Sequence, residues 1–441
     1  MRSIHQYFAI VFLWCTVSAF SQIQYSWSEL PNAPIAASRH DDTWFVNERI
    51  GWVVNIRGEI YKTIDGGNSW VNQLVQPETD FRSCTFIDSM KGFVGNLGTE
   101  EYGGGTDTTI LYRTLNGGET FEPVENIIGQ KPRGVCGMFA VNDSVIYASG
   151  RVRGPAFIMK STDGGETWYS TAMDSLAAGL IDCYFVSPDT GFTVGLSNSL
   201  HGNSSGVILS TVDGGQTWQK VHTTSRTGEW CWKISFPSRK VGYVSLQRNS
   251  LSPIYFLKTT DGGVTWEEKL FRNEYYYVQG IGFVNENVGW IGGNNTHPTY
   301  KTTDGGETWT NAGFGNRLNR FRFVNDTLGY GVGVTVYKLK AESTVGIATD
   351  EPIAESVRLY QNYPNPFNPT TTIDFELAKA DNITIKIFDV SGSEITTLFE
   401  GMSEPGYHSV NFDAGDLPSG VYFYQLQSAT INRTGKMVLM K

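Results

Sequence analysis

The sequence predicts an all-β chain, a seven-bladed β-propeller with a small C-terminal β-sandwich, and three observations carry that expectation. A turn phrase typified by TTDGGETW occurs in six versions. A second phrase, strand, polar turn and Gly-aromatic strand, occurs seven times. From about residue 357 the repeats stop and the composition changes.

The turn copies are TIDGGNSW ending at Trp70, TLNGGETF at Phe121, STDGGETW at Trp168, TVDGGQTW at Trp218, TTDGGVTW at Trp266 and TTDGGETW at Trp309. Their third residues, Asp65, Asn116, Asp163, Asp213, Asp261 and Asp304, stand 51, 47, 50, 48 and 43 residues apart, a period typical of solenoids and propellers. The Asp or Asn side chain is suited to accept backbone N–H groups of its own turn, and the glycines tolerate positive φ. The closing Trp or Phe is an apolar anchor for a neighbouring sheet. One carboxylate per turn falls far short of the roughly six to eight oxygens that calcium takes. These residues are therefore read as structural, and neither a metal nor a cofactor is expected.

The second phrase reads WFVNERIGWVV (44–54), TFIDSMKGFVG (85–95), a looser MFAVNDSVIYAS (138–149), YFVSPDTGFTV (184–194), SFPSRKVGYVS (235–245), GFVNENVGWIG (282–292) and RFVNDTLGYGV (322–332). With the IYKT-type strand before each turn and the Trp strand after it, every repeat supplies four antiparallel strands, one blade. The seventh repeat stops at VTVYKLK (334–340) without a fourth strand, whereas QYSWSEL (24–30) resembles a Trp strand with no blade of its own. Lending Tyr25–Trp27 to blade seven closes the ring and leaves no open sheet edge.

At 441 residues the chain is long enough for a large core and an appendage. Its 40% hydrophobic and 13% aromatic residues argue for a globular protein, and 49 glycines for many turns. A formal charge of −10 speaks against a nucleic-acid partner. Residues 1–21 have the layout of a secretory signal, with Arg2, an apolar run from about Tyr7 to Val17, and small residues at Ala19 and Ser21. No later segment is apolar for long enough to span a membrane as a helix. Four cysteines remain after that signal, Cys84, Cys136, Cys183 and Cys231, spaced at 52, 47 and 48 residues. Their spacing follows the repeat and matches no zinc motif, and it leaves open whether they are buried thiols or disulfides.

The turn boxes resemble the Asp-box (BNR) repeat, and with the Gly-aromatic phrases the array is similar to the photosystem II assembly factor propellers. It is more distantly similar to sialidases, sortilin and xyloglucanases. The domain expectation is a propeller over residues 22–341, a linker over 342–356 and a sandwich over 357–441. In that last segment, YPNPFNP, LPSGVYFYQL and the KMVLMK tail resemble the type A sorting domain of the type IX secretion system. The resemblance implies a periplasmic route, recognition by the type IX machinery, and delivery to the surface or surroundings of a Gram-negative cell.

Function is less legible. Glu274 beside Tyr275, Tyr276 and Tyr277 invites comparison with a sialidase nucleophile pair, but no arginine motif of that family is present. Xyloglucanases place their carboxylates between two tandem propellers, and this chain supplies one. His40 beside Asp41 and Asp42 reads as a hydrogen-bonding loop residue, and no catalytic residues are assigned. Strand directions put the insertions 96–109, 150–156, 197–206 and 247–253 on one face, here called the front, and the DGG turns on the other. Six residues before the closing Phe of the first strands stand Arg39, Arg133, Trp230, Tyr277 and Arg317, with Arg57, Arg82, Arg151, Arg153, Arg248 and Arg320 in the same loops. Guanidinium groups beside aromatic rings suit carboxylates or sugars. The expectation is a non-enzymatic binding or scaffold propeller that takes a glycan or acidic peptide at these five positions, with a glycan-acting hydrolase as the alternative.

Overall fold

The computed structural model describes residues 22–99, 105–249, 251–294 and 298–344, and residues 357–441 apart from 361, 363–364, 378–379, 405 and 429–431. The expected signal segment, 1–21, lies outside the described residues. Two compact units part between residues 345 and 346.

The first unit holds seven sheets, the seven blades, each built on four antiparallel strands. Their first strands are His40–Phe45, Phe81–Phe86, Gly137–Ala140, Gly179–Phe185, Glu229–Ser235, Val278–Phe283 and Arg320–Phe323. Blade seven takes its outermost strand from the start of the propeller. Gln22–Glu29 pairs antiparallel with Val336–Thr344, so that Trp27 faces Leu339. Trp27 then stacks on Phe314 at 5.4 Å and meets Trp290 edge-on at 5.4 Å. Blade three differs from the others in carrying a fifth strand, Ile127–Gly129, parallel to Trp168–Ala172.

The repeated letters have packing reasons. The Phe that closes one blade's first strand stacks under the second-strand aromatic of the preceding blade. Trp52 lies on Phe86 at 3.6 Å, Tyr147 on Phe185 at 3.6 Å, Tyr243 on Phe283 at 3.5 Å and Tyr330 on Phe45 at 3.5 Å, all nearly parallel. Except in blade three, where Ile146 precedes Tyr147, a Gly before the second-strand aromatic makes room for the blade's own Phe ring: a Cβ on Gly191, before Phe192, would lie 2.1 Å from Phe185 Cδ1. Stacked face to face, these rings bury a large apolar area between neighbouring blades.

The turns are self-contained. In the last of them, Asp304 Oδ1 accepts the Thr308 backbone N–H at 2.9 Å and the Thr302 hydroxyl at 2.7 Å, and Thr302 Oγ1 accepts the Gly306 N–H at 2.9 Å. Gly305 and Gly306 have φ of 71° and 91°, a region that side chains other than glycine rarely adopt. Four of the six turns are also tied to the blade before them. A third-strand lysine crosses to the next blade's first turn glycine: Lys62 donates to the Gly117 carbonyl, Lys160 to Gly214, Lys258 to Gly305 and Lys338 to Gly66, at 2.7–2.9 Å. At the closure, where blade seven has no such turn, Lys301 donates to the Tyr25 carbonyl at 3.2 Å. Cys84, Cys136, Cys183 and Cys231 are buried, with no disulfide among them.

The second unit is a two-sheet sandwich. Val357–Leu359, Thr370–Leu377 and Gly406–Asp413 form one sheet. Glu394–Ser403, Asp381–Phe388, Gly420–Gln427 and Asn432–Leu439 form the other. Alternate residues of each sheet, among them Ile373, Phe375, Ile385, Ile387, Tyr424 and Met437, meet in its core.

Candidate functional site

The front mouth and the axis beneath it are built from the first strands. Counting three back from each closing Phe gives the tier Asp42, Ser83, Cys136, Asp182, Lys233, Gly280 and Arg320. Arg320 on blade seven grips Asp182 on blade four with two bonds, 2.7 and 2.9 Å. Its Nε stands 3.0 Å from Asp42 Oδ1 on blade one, a charge contact without hydrogen-bond alignment. Arg322 reaches Asp42 at 3.3 Å while its guanidinium covers Trp44. Blades seven and four are not neighbours in the ring, so these bonds fill the axis rather than line an open bore. Burial pushes the Arg320 pKa down, but Asp182 and Asp42 more than reverse it. Burial alone would raise the Asp182 carboxyl, and Arg320 holds it below its usual range.

One step toward the front, Trp232 roofs this plug. Its indole N–H donates to Asn319 Oδ1 on blade seven at 3.0 Å, and Arg82 of blade two sits over its ring at 5.2 Å. Arg82 and Arg39 both bond Asp41 Oδ1, and Asp41 Oδ2 has no hydrogen-bond partner. Arg39 also bonds Gln279 on blade six, Gln279 donates to Gln247 at 3.0 Å, and Gln247 donates to the Tyr277 hydroxyl at 3.2 Å.

The five expected site residues fare differently. Arg39 and Tyr277 are joined through the two glutamines. Arg317, half-buried with φ of 55°, is 3.4 Å from the Ser38 carbonyl, next to Arg39. Arg133 is exposed on the rim, its carbonyl against Gly98. Trp230 departs from the expected open aromatic wall. It is 1% exposed, held between His201 at 4.7 Å and Trp232 at 6.4 Å within an apolar cluster that includes Leu97, Val152 and Leu196. Its size is spent on supporting the mouth from beneath, because the insertions of blades two to four fold over it. Arg153, exposed and also at positive φ (63°), lies near enough to act on both His201 and Tyr277. Burial raises the Tyr277 phenol, and the charges of Arg39, Arg82 and Arg153 oppose it. Non-glycine residues in this backbone region cost strain that is often found at functional sites.

Other candidates resolve locally. His40 is fully buried, with Nε2 2.9 Å from the Pro34 carbonyl. Glu274 is exposed and pairs with Arg272 at 3.1 Å. No group of His, Cys, Asp and Glu suited to hold a metal occurs among the described residues, and none of their helices is long and apolar enough to cross a membrane.

Fold and tail together define an exported β-propeller protein. Residues 361–440 match the model of the secretion system C-terminal sorting domain. The propeller is similar to two structures of YCF48. One, bound to D1 peptide, has 17% identity and a TM-score of 0.52, covering 73% of this chain and 97% of that one. The other, from Cyanidioschyzon merolae, has 17% identity and a TM-score of 0.54, covering 71% and 99%. An ancestral GH74 enzyme matches at 12% identity and a TM-score of 0.51, covering 94% of this chain and 63% of that one. Identities this low establish a shared fold. No curated protein matches the chain in sequence.

Proposed function

We propose that this is a binding protein, sent across the outer membrane by the type IX secretion machinery, whose front mouth captures a carboxylate-bearing ligand, an acidic peptide or a carboxylated glycan. The observation that carries this reading is the meeting of Arg39 and Arg82, from two blades, on Asp41 above a floor closed by Trp232, with Tyr277 joined to Arg39 through Gln279 and Gln247. Two arginines share one oxygen of Asp41, so the mouth keeps positive charge in a largely buried setting where an anion is bound more strongly than in open water. Arg317 and the exposed Arg133 and Arg153 extend that charge over the rim. A YCF48 propeller of similar fold binds a peptide, which makes a peptide the first ligand to try.

A binding role is also supported by the state of the carboxylates. Glycoside hydrolysis uses two carboxyl groups about 5–10 Å apart flanking the substrate. Here Asp41, Asp42 and Asp182 are buried and held by arginines. The secreted chain assayed against panels of acidic peptides and uronic or sialic acid glycans, reading both capture and product, tests the proposal. Capture without product is expected, and turnover of any glycan would replace this reading with the hydrolase.

A further inference from the structure

Lys233 is the one charged member of the axial tier that the plug leaves unanswered. It is 1% exposed, and among the described residues no hydrogen bond or ion pair ends on its ammonium. The carboxylates that could have answered it are already engaged. Asp182 takes both Arg320 bonds and the Ile234 backbone N–H at 3.2 Å, and Asp42 takes Arg320, Arg322 and the backbone N–H groups of Thr43 and Cys84. The charges that act on Lys233 are Arg320 and Arg82 against Asp182 and Asp42.

The charge balance of the plug makes the same point. Beneath Trp232, Lys233, Arg320 and Arg322 face Asp42 and Asp182, which leaves one positive charge in excess. A buried cation without a counter-charge is costly. It is relieved by an anion or by loss of a proton, and burial, reinforced by Arg320, holds the Lys233 pKa down to about 7.

We propose that the axis of the propeller binds one small anion, a halide or compact oxyanion, at the Lys233 ammonium on the side shared with Arg320. The site is distinct from the front mouth, from which Trp232 separates it, and it neutralises the plug rather than capturing a secreted partner.

Bromide is the probe. In crystals of the full chain grown or soaked with bromide, an anomalous peak is expected in contact with Lys233 Nζ. In solution, the melting temperature should rise with bromide relative to gluconate at equal ionic strength, and Lys233→Met should abolish that rise. A bromide response unchanged in Lys233→Met would overturn the proposal. So would wild-type crystals whose anomalous peaks lie only at the front arginines, and that observation holds even if the variant fails to fold.

Discussion

Arg320 of blade seven and Asp182 of blade four meet across the propeller axis through two hydrogen bonds of 2.7 and 2.9 Å, both side chains at most 4% exposed. The ring is thus held at its centre by a bidentate ion pair, and at its rim by the lysine-to-turn bonds between successive blades.

Removing one partner of a buried pair strands the other. Arg320→Ala should therefore destabilise the propeller by about 3–5 kcal/mol in denaturant titration. Arg320→Lys should recover little, because an ammonium does not reproduce the two-pronged geometry. Equal stability of wild type and Arg320→Ala would show that the plug is not a structural element.

Closure depends on the strand Gln22–Glu29. Trp27→Ala removes the ring that contacts Phe314, Trp290 and Phe321 and should cost about 3 kcal/mol. A chain lacking residues 22–30 should expose the edge of Val336–Thr344 and aggregate. A truncated monomer that melts like the parent would mean the closing strand is dispensable.

The turns make a graded prediction. Asp304→Ala loses the bonds to Thr302 and Thr308 and should lower stability by roughly 0.5–2 kcal/mol. Asp304→Asn should cost little, since Asn116 already makes the equivalent bonds to Thr114 and Thr120. Acid adds a signature. Bonds from the Thr217 and Thr265 hydroxyls and backbone N–H groups hold Asp213 and Asp261 down to about 2, below the ordinary 3.8. Their contribution is present above about pH 4 and fades as the pH falls toward 2. Thermal melts of an Asp213→Asn, Asp261→Asn chain should show a shallower acid limb than the parent, and an identical limb would contradict the assignment.

Lys233 titrates in the opposite sense. Its folded value near 7 lies below the ordinary 10.5, so between those limits the unfolded chain holds a proton that the folded chain lacks, and stability rises with pH. In gluconate buffer the stability difference between Lys233→Met and wild type should be largest at or below pH 7 and narrow toward pH 10. A difference independent of pH would show that the ammonium is not destabilised by its surroundings.

The propeller was legible because its information is local and repeated: each DGG turn, Gly-aromatic pair and closing Phe says the same thing in successive blades. The front face was legible in part, since strand direction sorts loops to one side and placed Arg39, Tyr277 and Arg317 together. Trp230 was misjudged because the insertions that cover it, notably Val152 and His201, come from other blades. The plug was missed for a related reason. Asp42, Asp182, Lys233 and Arg320 occupy the same register but spell no common motif, so each looks like an isolated charge until the ring brings them face to face. Aligning the first strands on the closing Phe and reading charge three residues back would have found it.

The central claim, capture of a carboxylate at the front mouth, is tested most directly by the dissociation constant of an acidic peptide with a free C-terminal carboxylate, measured on wild type, Arg153→Ala and Arg317→Ala. Each substitution should weaken binding about tenfold or more, ~1.4 kcal/mol, with the melting temperature little changed, and amidating the peptide should weaken it similarly. Unchanged affinity in both variants, at unchanged stability, would contradict it.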